Sequence, residues 1–140
     1  MFLSARNFTP VIWDDLQRPV SPNSYLLAPP SFTDAATDET APIFRAPVEV
    51  LKQWWNAVIA QQPRIKKISE SEDGLQIDYV QRTALMRFPD CITVRFIYID
   101  TKRTTLTIYS RSVYGYSDFG VNKARVQSWL AKLRDESAAA

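Results

Sequence analysis

The most regular feature of the chain is a change of hydrophobic period after residue 46. A first helix is predicted by apolar residues at i, i+3, i+4, i+7 and i+8: Leu51, Trp54, Trp55, Val58 and Ile59. Pro47 suits its first position, where the missing N–H has no intrahelical partner. A second helix is predicted over about 121–134, with a buried stripe of Val126, Trp129, Leu130 and Leu133.

Between these helices the apolar period shortens to two, which is typical of strands. The strand-like segments are 65–70, 75–79, 92–98 and 106–110. Asp73-Gly74 is a tight-turn signal and Pro89-Asp90 interrupts the chain. Because the connections are short, neighbouring strands are expected to be antiparallel.

The order α-β-β-β-β-α over residues 46–134 predicts one α+β domain. Its antiparallel sheet would have four or more strands, with two helices packed on one face. Seven of the nine prolines lie between Pro10 and Pro47, so residues 1–45 are predicted to form an extended Pro-rich arm that packs apolar anchors onto the domain. Residues 135–140 are expected to fray.

Composition narrows the function mainly by exclusion. The chain has 17 Lys+Arg and 15 Asp+Glu, a balance that does not favour nucleic-acid binding. It has no histidine and a single cysteine, Cys91, so His-based catalysis and internal disulfides are excluded, and no metal site or cofactor is expected. No membrane span or signal peptide is evident, which favours a cytoplasmic location.

Polar residues concentrate between Tyr109 and Arg125, around a strand-to-helix turn. If Ser110 faces the core, Tyr109 and Arg111 face the other way, because side chains alternate along a strand. Asp118 is placed to cap the second helix. Asn122 and Arg125 follow at +4 and +7, on the same side of that helix.

Three interpretations of this stretch stay open. Capping and ion pairing explain each residue type, and this architectural interpretation is favoured. The second is a polar pocket for an anionic or hydroxylated small molecule. Its candidate ligand-binding residues are Arg111, Asp118, Asn122, Arg125, Arg82, Arg87, Ser110 and Ser112. The third is a hydrolase-like site that pairs Asp118 with Ser112 or Ser117, although no activated nucleophile is evident.

Other conspicuous residues are assigned to packing or to solvent. Trp54, Trp55 and Trp129 stand at helical spacing and are predicted to be core. Cys91 is predicted to be a buried, inert thiol. Arg82, Arg87 and Arg95 are expected to be solvated cations on one sheet face, although convergence of Arg82 and Arg87 on Arg111 would favour an anion site.

Three segments resemble one family. They are RPVSPNSYLLAPP (18–30), RTALMRFPDCITVRF (82–96) and YSRSVYGYSDFGVNKARV (109–126), and they are similar to Domain of Unknown Function 1499, found in bacteria and plastids. Ser24 and Tyr25 stand where many relatives have a cysteine, and Phe119 replaces a usual leucine. The resemblance spans about Arg18 to Leu133 and implies no reaction.

The leading functional hypothesis is therefore a non-catalytic binding module with its polar site between the last strand and the last helix. The alternative is a protein-interaction or assembly factor that uses the N-terminal arm. A hydrolase-like enzyme is the least favoured. On the binding hypothesis, alanine at Arg111 and Arg125 removes ligand binding and leaves the fold intact.

Overall fold

The computed structural model describes residues 10–115 and 118–140. The two helices in this part of the chain are α1, Val48–Ala60, and α2, Val121–Ala139. The strands are β1 (Ser24–Ala28), β2 (Glu39–Thr40), β3 (Ile65–Glu70), β4 (Gln76–Arg82), β5 (Pro89–Asp100) and β6 (Arg103–Ser112). A single turn of 3-10 helix covers Trp13–Asp15.

The described strands form one sheet in the order β2-β1-β6-β5-β4-β3. Its pairings are antiparallel except that of β1 with β2. The α+β class, the antiparallel sheet and the two helices are as predicted. Gly74 has φ +72° in the predicted turn between β3 and β4, a conformation that glycine adopts without a steric penalty.

The segment before residue 46 departs from the prediction of an arm laid over the domain. It supplies strands β1 and β2, and β1 lies between β2 and β6 with both of its edges paired. Its prolines fall outside those five residues of β1, so they do not interrupt its ladder. The segment is thus part of the sheet.

The main core lies between the sheet and the two helices. Trp55 and Trp129, from α1 and α2, are buried edge to face with ring centroids 5.8 Å apart, as the helical spacing predicts. Trp55 also donates a hydrogen bond to the Tyr79 hydroxyl at 2.9 Å. Fully burying such side chains contributes about 1.5–3 kcal/mol each, so this layer dominates the stability.

The opposite face of the sheet is also covered in part, which the alternation of β4 did not indicate. Trp13 packs there on Leu26 and Tyr109, and its indole donates to Gln76 Oε1 at 3.0 Å. Asp78 is buried on this face and accepts hydrogen bonds from Ser69 and Thr93.

Helix α2 continues to Ala139, beyond the predicted end at Arg134. Residues 135–140 were expected to fray. Alanine has the highest intrinsic helix propensity, and two alanines form the last helical positions, Ala138 and Ala139. The final turn is therefore sustained by propensity, while the core contacts of the helix end at Leu133.

Candidate functional site

At one end of the sheet, where β4 ends and β5 begins, the face covered by the helices carries polar side chains in place of apolar ones. Gln81, Asp90 and Ser112 lie in register across β4, β5 and β6. They have the same phase as Tyr79, Ile92 and other core residues, so their side chains point toward α2. Buried polar groups at this position require partners within the protein.

Arg125 of α2 supplies most of those partners. Its Nη2 lies 2.7 Å from Asp90 Oδ2, and the two side chains are 7% and 3% exposed. Its Nε donates to Gln81 Oε1 at 2.6 Å, and its Nη1 donates to Ser110 Oγ at 3.0 Å. A buried ion pair offsets its desolvation only when further hydrogen bonds satisfy both partners, and these bonds do so for the guanidinium.

Asn122 joins this ion pair to the N-terminal segment. Its Oδ1 accepts from Ser110 Oγ at 2.6 Å and from Arg125 Nη1 at 2.8 Å. Its Nδ2 donates to the Asn23 carbonyl, 99 positions away, at 3.1 Å, and also lies 3.0 Å from Ser112 Oγ. A fully buried amide with this many partners fixes β1, β6 and α2 relative to one another.

Asp118 caps the start of α2, as predicted. Its Oδ1 accepts from the Gly120 amide at 2.8 Å, and its Oδ2 accepts from the Asn122 amide at 3.2 Å. The same Oδ2 accepts from Asn122 Nδ2 at 2.7 Å, which joins the cap to the interior. Gly120 has φ +82°, which permits the sharp entry into the helix.

We call these connected side chains the polar network: Asn23, Gln81, Asp90, Ser110, Ser112, Asp118, Asn122 and Arg125. Asn23 Oδ1 is the one buried side-chain polar atom without a partner among the described residues. Asn23, Gln81 and Asp90 were not among the site residues predicted from the sequence. Asp90 stands two residues before Ile92, so strand alternation points its side chain toward the core. A carboxylate buried there needs a cation, and this pattern could have identified Asp90.

Arg111 lies on the opposite face of the sheet from Arg125. Its Nη1 donates to Thr93 Oγ1 at 2.9 Å, and its guanidinium lies 4.7 Å from the centre of the Tyr109 ring. Burial raises the pKa of the nearby Cys91 thiol to about 11, and the charge of Arg111 lowers it only in part. Arg111 and Arg125 therefore do not line one polar pocket together, as the pocket hypothesis predicted.

The other candidate arginines, Arg82 and Arg87, lie at the end of β4 and in the loop that follows it. Arg82 ends β4, and its Nη1 donates to the Arg87 carbonyl at 3.0 Å, in the loop that leads to β5. Arg95 pairs with Asp73 at 3.1 Å. Of the candidate residues, the structure thus joins Ser110, Ser112, Asp118, Asn122 and Arg125 by hydrogen bonds. Arg111, Arg82 and Arg87 lie outside this hydrogen-bonded cluster.

Beside the polar network lies an open cavity of about 390 Å³, which we call the groove. Leu85 and Phe119, 88% and 94% exposed, stand on loops that border it. The large apolar side chains that line it and are exposed are Leu85, Met86, Phe88, Tyr114, Phe119 and Val121. Its polar lining consists of Thr83, Asp90, Ser112 and Asp118. A cavity of this size with apolar walls is typical of small-molecule sites.

Hydrolase-type chemistry gains no support from the described geometry. Asp118 uses its carboxylate oxygens on the Gly120 amide and on Asn122, and makes no hydrogen bond to Ser112 within residues 10–115 and 118–140. Ser117 lies outside the described residues. No cluster of three metal-ligating side chains occurs in the described part of the chain.

Two further observations bear on identity. The described residues form two helices, α1 and α2. Neither has both the length and the apolar character needed to cross a membrane. No curated protein matches the chain. Residues 17–133 match the family described as protein of unknown function DUF1499, and because this match covers most of the sequence, the chain belongs to that family.

Proposed function

We propose that this domain is a non-catalytic binding module whose site is the groove, and that its ligand is a small amphipathic molecule. The observation that carries the proposal is the group of six exposed apolar side chains around one cavity. Exposed apolar patches of this kind usually mark interaction sites, because leaving them in water is unfavourable.

The polar lining narrows the choice of ligand. Ser112 and Asp118 offer oxygen acceptors at the inner wall of the groove, so a hydroxyl donor on the ligand would suit them. Arg125 is not available for an anion there, because Asp90, Gln81, Ser110 and Asn122 already engage its N–H groups. The hydroxylated ligand of the sequence hypothesis fits the groove better than an anion held by Arg125.

Assembly through the N-terminal segment is less well supported. Residues 24–28 hydrogen-bond to strands on both sides, so they present no free edge to a partner. Arg18 also fastens the segment, through an ion pair with Asp38 at 2.7 Å and a bond to the Ala36 carbonyl at 2.7 Å.

Titration with N-phenyl-1-naphthylamine, a neutral fluorescent amphiphile, tests the proposal. We expect saturable fluorescence enhancement that decan-1-ol reverses by competition. The double variant Leu85→Ser, Met86→Ser should weaken binding by about tenfold or more, since each apolar side chain contributes about 1.5–3 kcal/mol when covered.

The control is Val20→Ser, which removes a fully exposed apolar side chain outside the groove. Circular dichroism melts should show that the three proteins share one unfolding temperature. Equal affinity of the wild type and the double variant would place any binding elsewhere. Absence of binding by both amphiphiles would contradict the proposed function.

A further inference from the structure

A second cavity of about 420 Å³, which we call the arginine cleft, adjoins the groove. The two cavities share Thr83 and Val121 in their walls, so they lie next to each other. In contrast to the apolar wall of the groove, the cleft is lined by Arg64, Arg82 and Gln62, with Trp129 beside them.

Arg64 and Arg82 are held side by side by the extension of the β3–β4 pairing. The Arg82 amide donates to the Arg64 carbonyl at 3.1 Å, and Arg64 Nε donates to the Arg82 carbonyl at 2.9 Å. Like charges directly opposite each other across a strand pair are unfavourable. Both side chains line the cleft, so the fold places two positive charges on one cavity wall, which is unfavourable without an anion.

Among the described residues, no carboxylate forms an ion pair with either of these two arginines. Within the described residues, Arg64, Arg82 and Arg87 form no ion pair, whereas Arg18, Arg95, Arg103 and Arg125 each have a carboxylate partner. The hydrogen-bond acceptors of Arg64 and Arg82 are backbone carbonyls, which leave the positive charge in place. Arg125 also lines the cleft, but Asp90 neutralises it.

Backbone strain is concentrated around the same two cavities. Among the described non-glycine residues, four have positive φ, and three of them are Arg64 (+54°), Arg87 (+59°) and Phe119 (+52°). Arg64 lines the cleft, Phe119 lines the groove, and Arg87 lies in the loop between β4 and β5. Strained residues of this kind cluster at ligand sites, where a fixed side-chain position is useful.

We infer that the ligand is a single-chain anionic amphiphile, with its apolar chain in the groove and its anionic head between Arg64 and Arg82. The inference rests on the proposed function of the groove and adds the charge of the ligand. A carboxylate, sulfate or phosphate head would accept hydrogen bonds from both guanidinium groups and relieve their repulsion.

The test compares decanoate with decan-1-ol, which share a chain and differ in the head. Each is used below its aggregation concentration, as a competitor of N-phenyl-1-naphthylamine. For the wild type we expect decanoate to bind about tenfold more tightly than decan-1-ol, because charge-assisted hydrogen bonds are the stronger kind. The preference should shrink as sodium chloride is raised, since salt screens exposed charges.

The variant Arg64→Gln, Arg82→Gln should lose the preference and bind decan-1-ol as the wild type does. Arg45→Gln, an exposed arginine in a cavity with Lys102 and Arg103 at the far end of β5 and β6, is the matched control and should keep it. Equal wild-type affinity for the two compounds, or an unchanged preference in the double variant, would overturn the inference and leave the proposed function standing. Binding of neither compound would overturn both.

Discussion

Two neighbouring clusters of polar side chains in this domain differ in whether their cations have anionic partners. In the polar network, Arg125 lies 2.7 Å from Asp90 and has three further side-chain acceptors. In the arginine cleft, Arg64 and Arg82 line the same cavity, with backbone carbonyls as their only acceptors among the described residues. Both clusters border the start of α2.

This difference distinguishes arginines that stabilise the fold from arginines that are able to bind a ligand. A guanidinium with its charge neutralised and its N–H groups occupied stabilises the fold and has little capacity left for a ligand. A guanidinium without a carboxylate retains its charge for an incoming anion. Side chains of the same type can therefore hold a fold together or present a binding surface, and their partners decide which.

The largest expected effect is on the buried ion pair. Arg125→Met should lower the free energy of unfolding by about 3–5 kcal/mol, because Asp90 would be left as an uncompensated buried charge. Urea denaturation measures the loss. Arg103→Met, which breaks an exposed pair with Asp100, should cost about 0–1 kcal/mol and is the control.

The double variant Asp90→Asn, Arg125→Met should recover part of that stability, since it removes both charges. A loss for Arg125→Met no greater than that for Arg103→Met would remove the distinction between the two clusters.

The second prediction concerns the amide of Asn122. Asn122→Ala should destabilise the domain by about 1–3 kcal/mol, because Ser110 and the Asn23 carbonyl would lose buried partners. Gln127→Ala, an exposed amide on the same helix, should change the unfolding free energy by less than about 0.5 kcal/mol. A change as small as that of Gln127→Ala would contradict the role of Asn122 in joining the strands to α2.

A smaller loss is expected at the helix cap. Asp118→Ala should cost about 0.5–2 kcal/mol, since two amides at the start of α2 lose their acceptor. Asp118→Ser, which keeps a capping oxygen, should retain part of this stability. Chemical denaturation of the three proteins ranks them, and an Asp118→Ala variant as stable as the wild type would contradict the capping role.

The smallest effect on stability is expected in the arginine cleft. Arg82→Gln should leave the free energy of unfolding within about 0.5 kcal/mol of the wild type, with any shift toward higher stability because it removes one of the like charges that line the cleft. Thermal melts at low salt are the measurement. A large loss would place Arg82 with the structural residues of the polar network.

The sequence predicted that polar side chains cluster near the start of α2, but it did not predict all the residues of the polar network. Helical spacing placed Asp118, Asn122 and Arg125 on one side of α2, and the structure brings them together. Strand alternation points Ser110 toward the site and Arg111 to the opposite face of the sheet, so that rule excluded Arg111. Grouping Arg111 and Arg125 in one pocket relied on their proximity in sequence and gave too little weight to the alternation of side chains along β6.

The groove and the arginine cleft were not predictable from local patterns. Leu85 and Met86 stand in a short turn where no period applies, and Arg64 precedes a strand without a motif. What makes them a candidate site is the approach of β4, β6 and the start of α2, which depends on how the sheet is ordered.

The sequence by itself determined the α+β class, both helices, the alternating strands, the core positions of Trp55 and Trp129, and the absence of histidine chemistry. These follow from sterics and hydrophobic periods that act over a few residues. Only the tertiary structure decided that residues 24–28 enter the sheet, that Asp90 neutralises Arg125, and that Arg64 and Arg82 line one cavity. Such pairings join residues as far apart as Asn23 and Asn122, and they are selected because a polar group buried without a partner costs free energy.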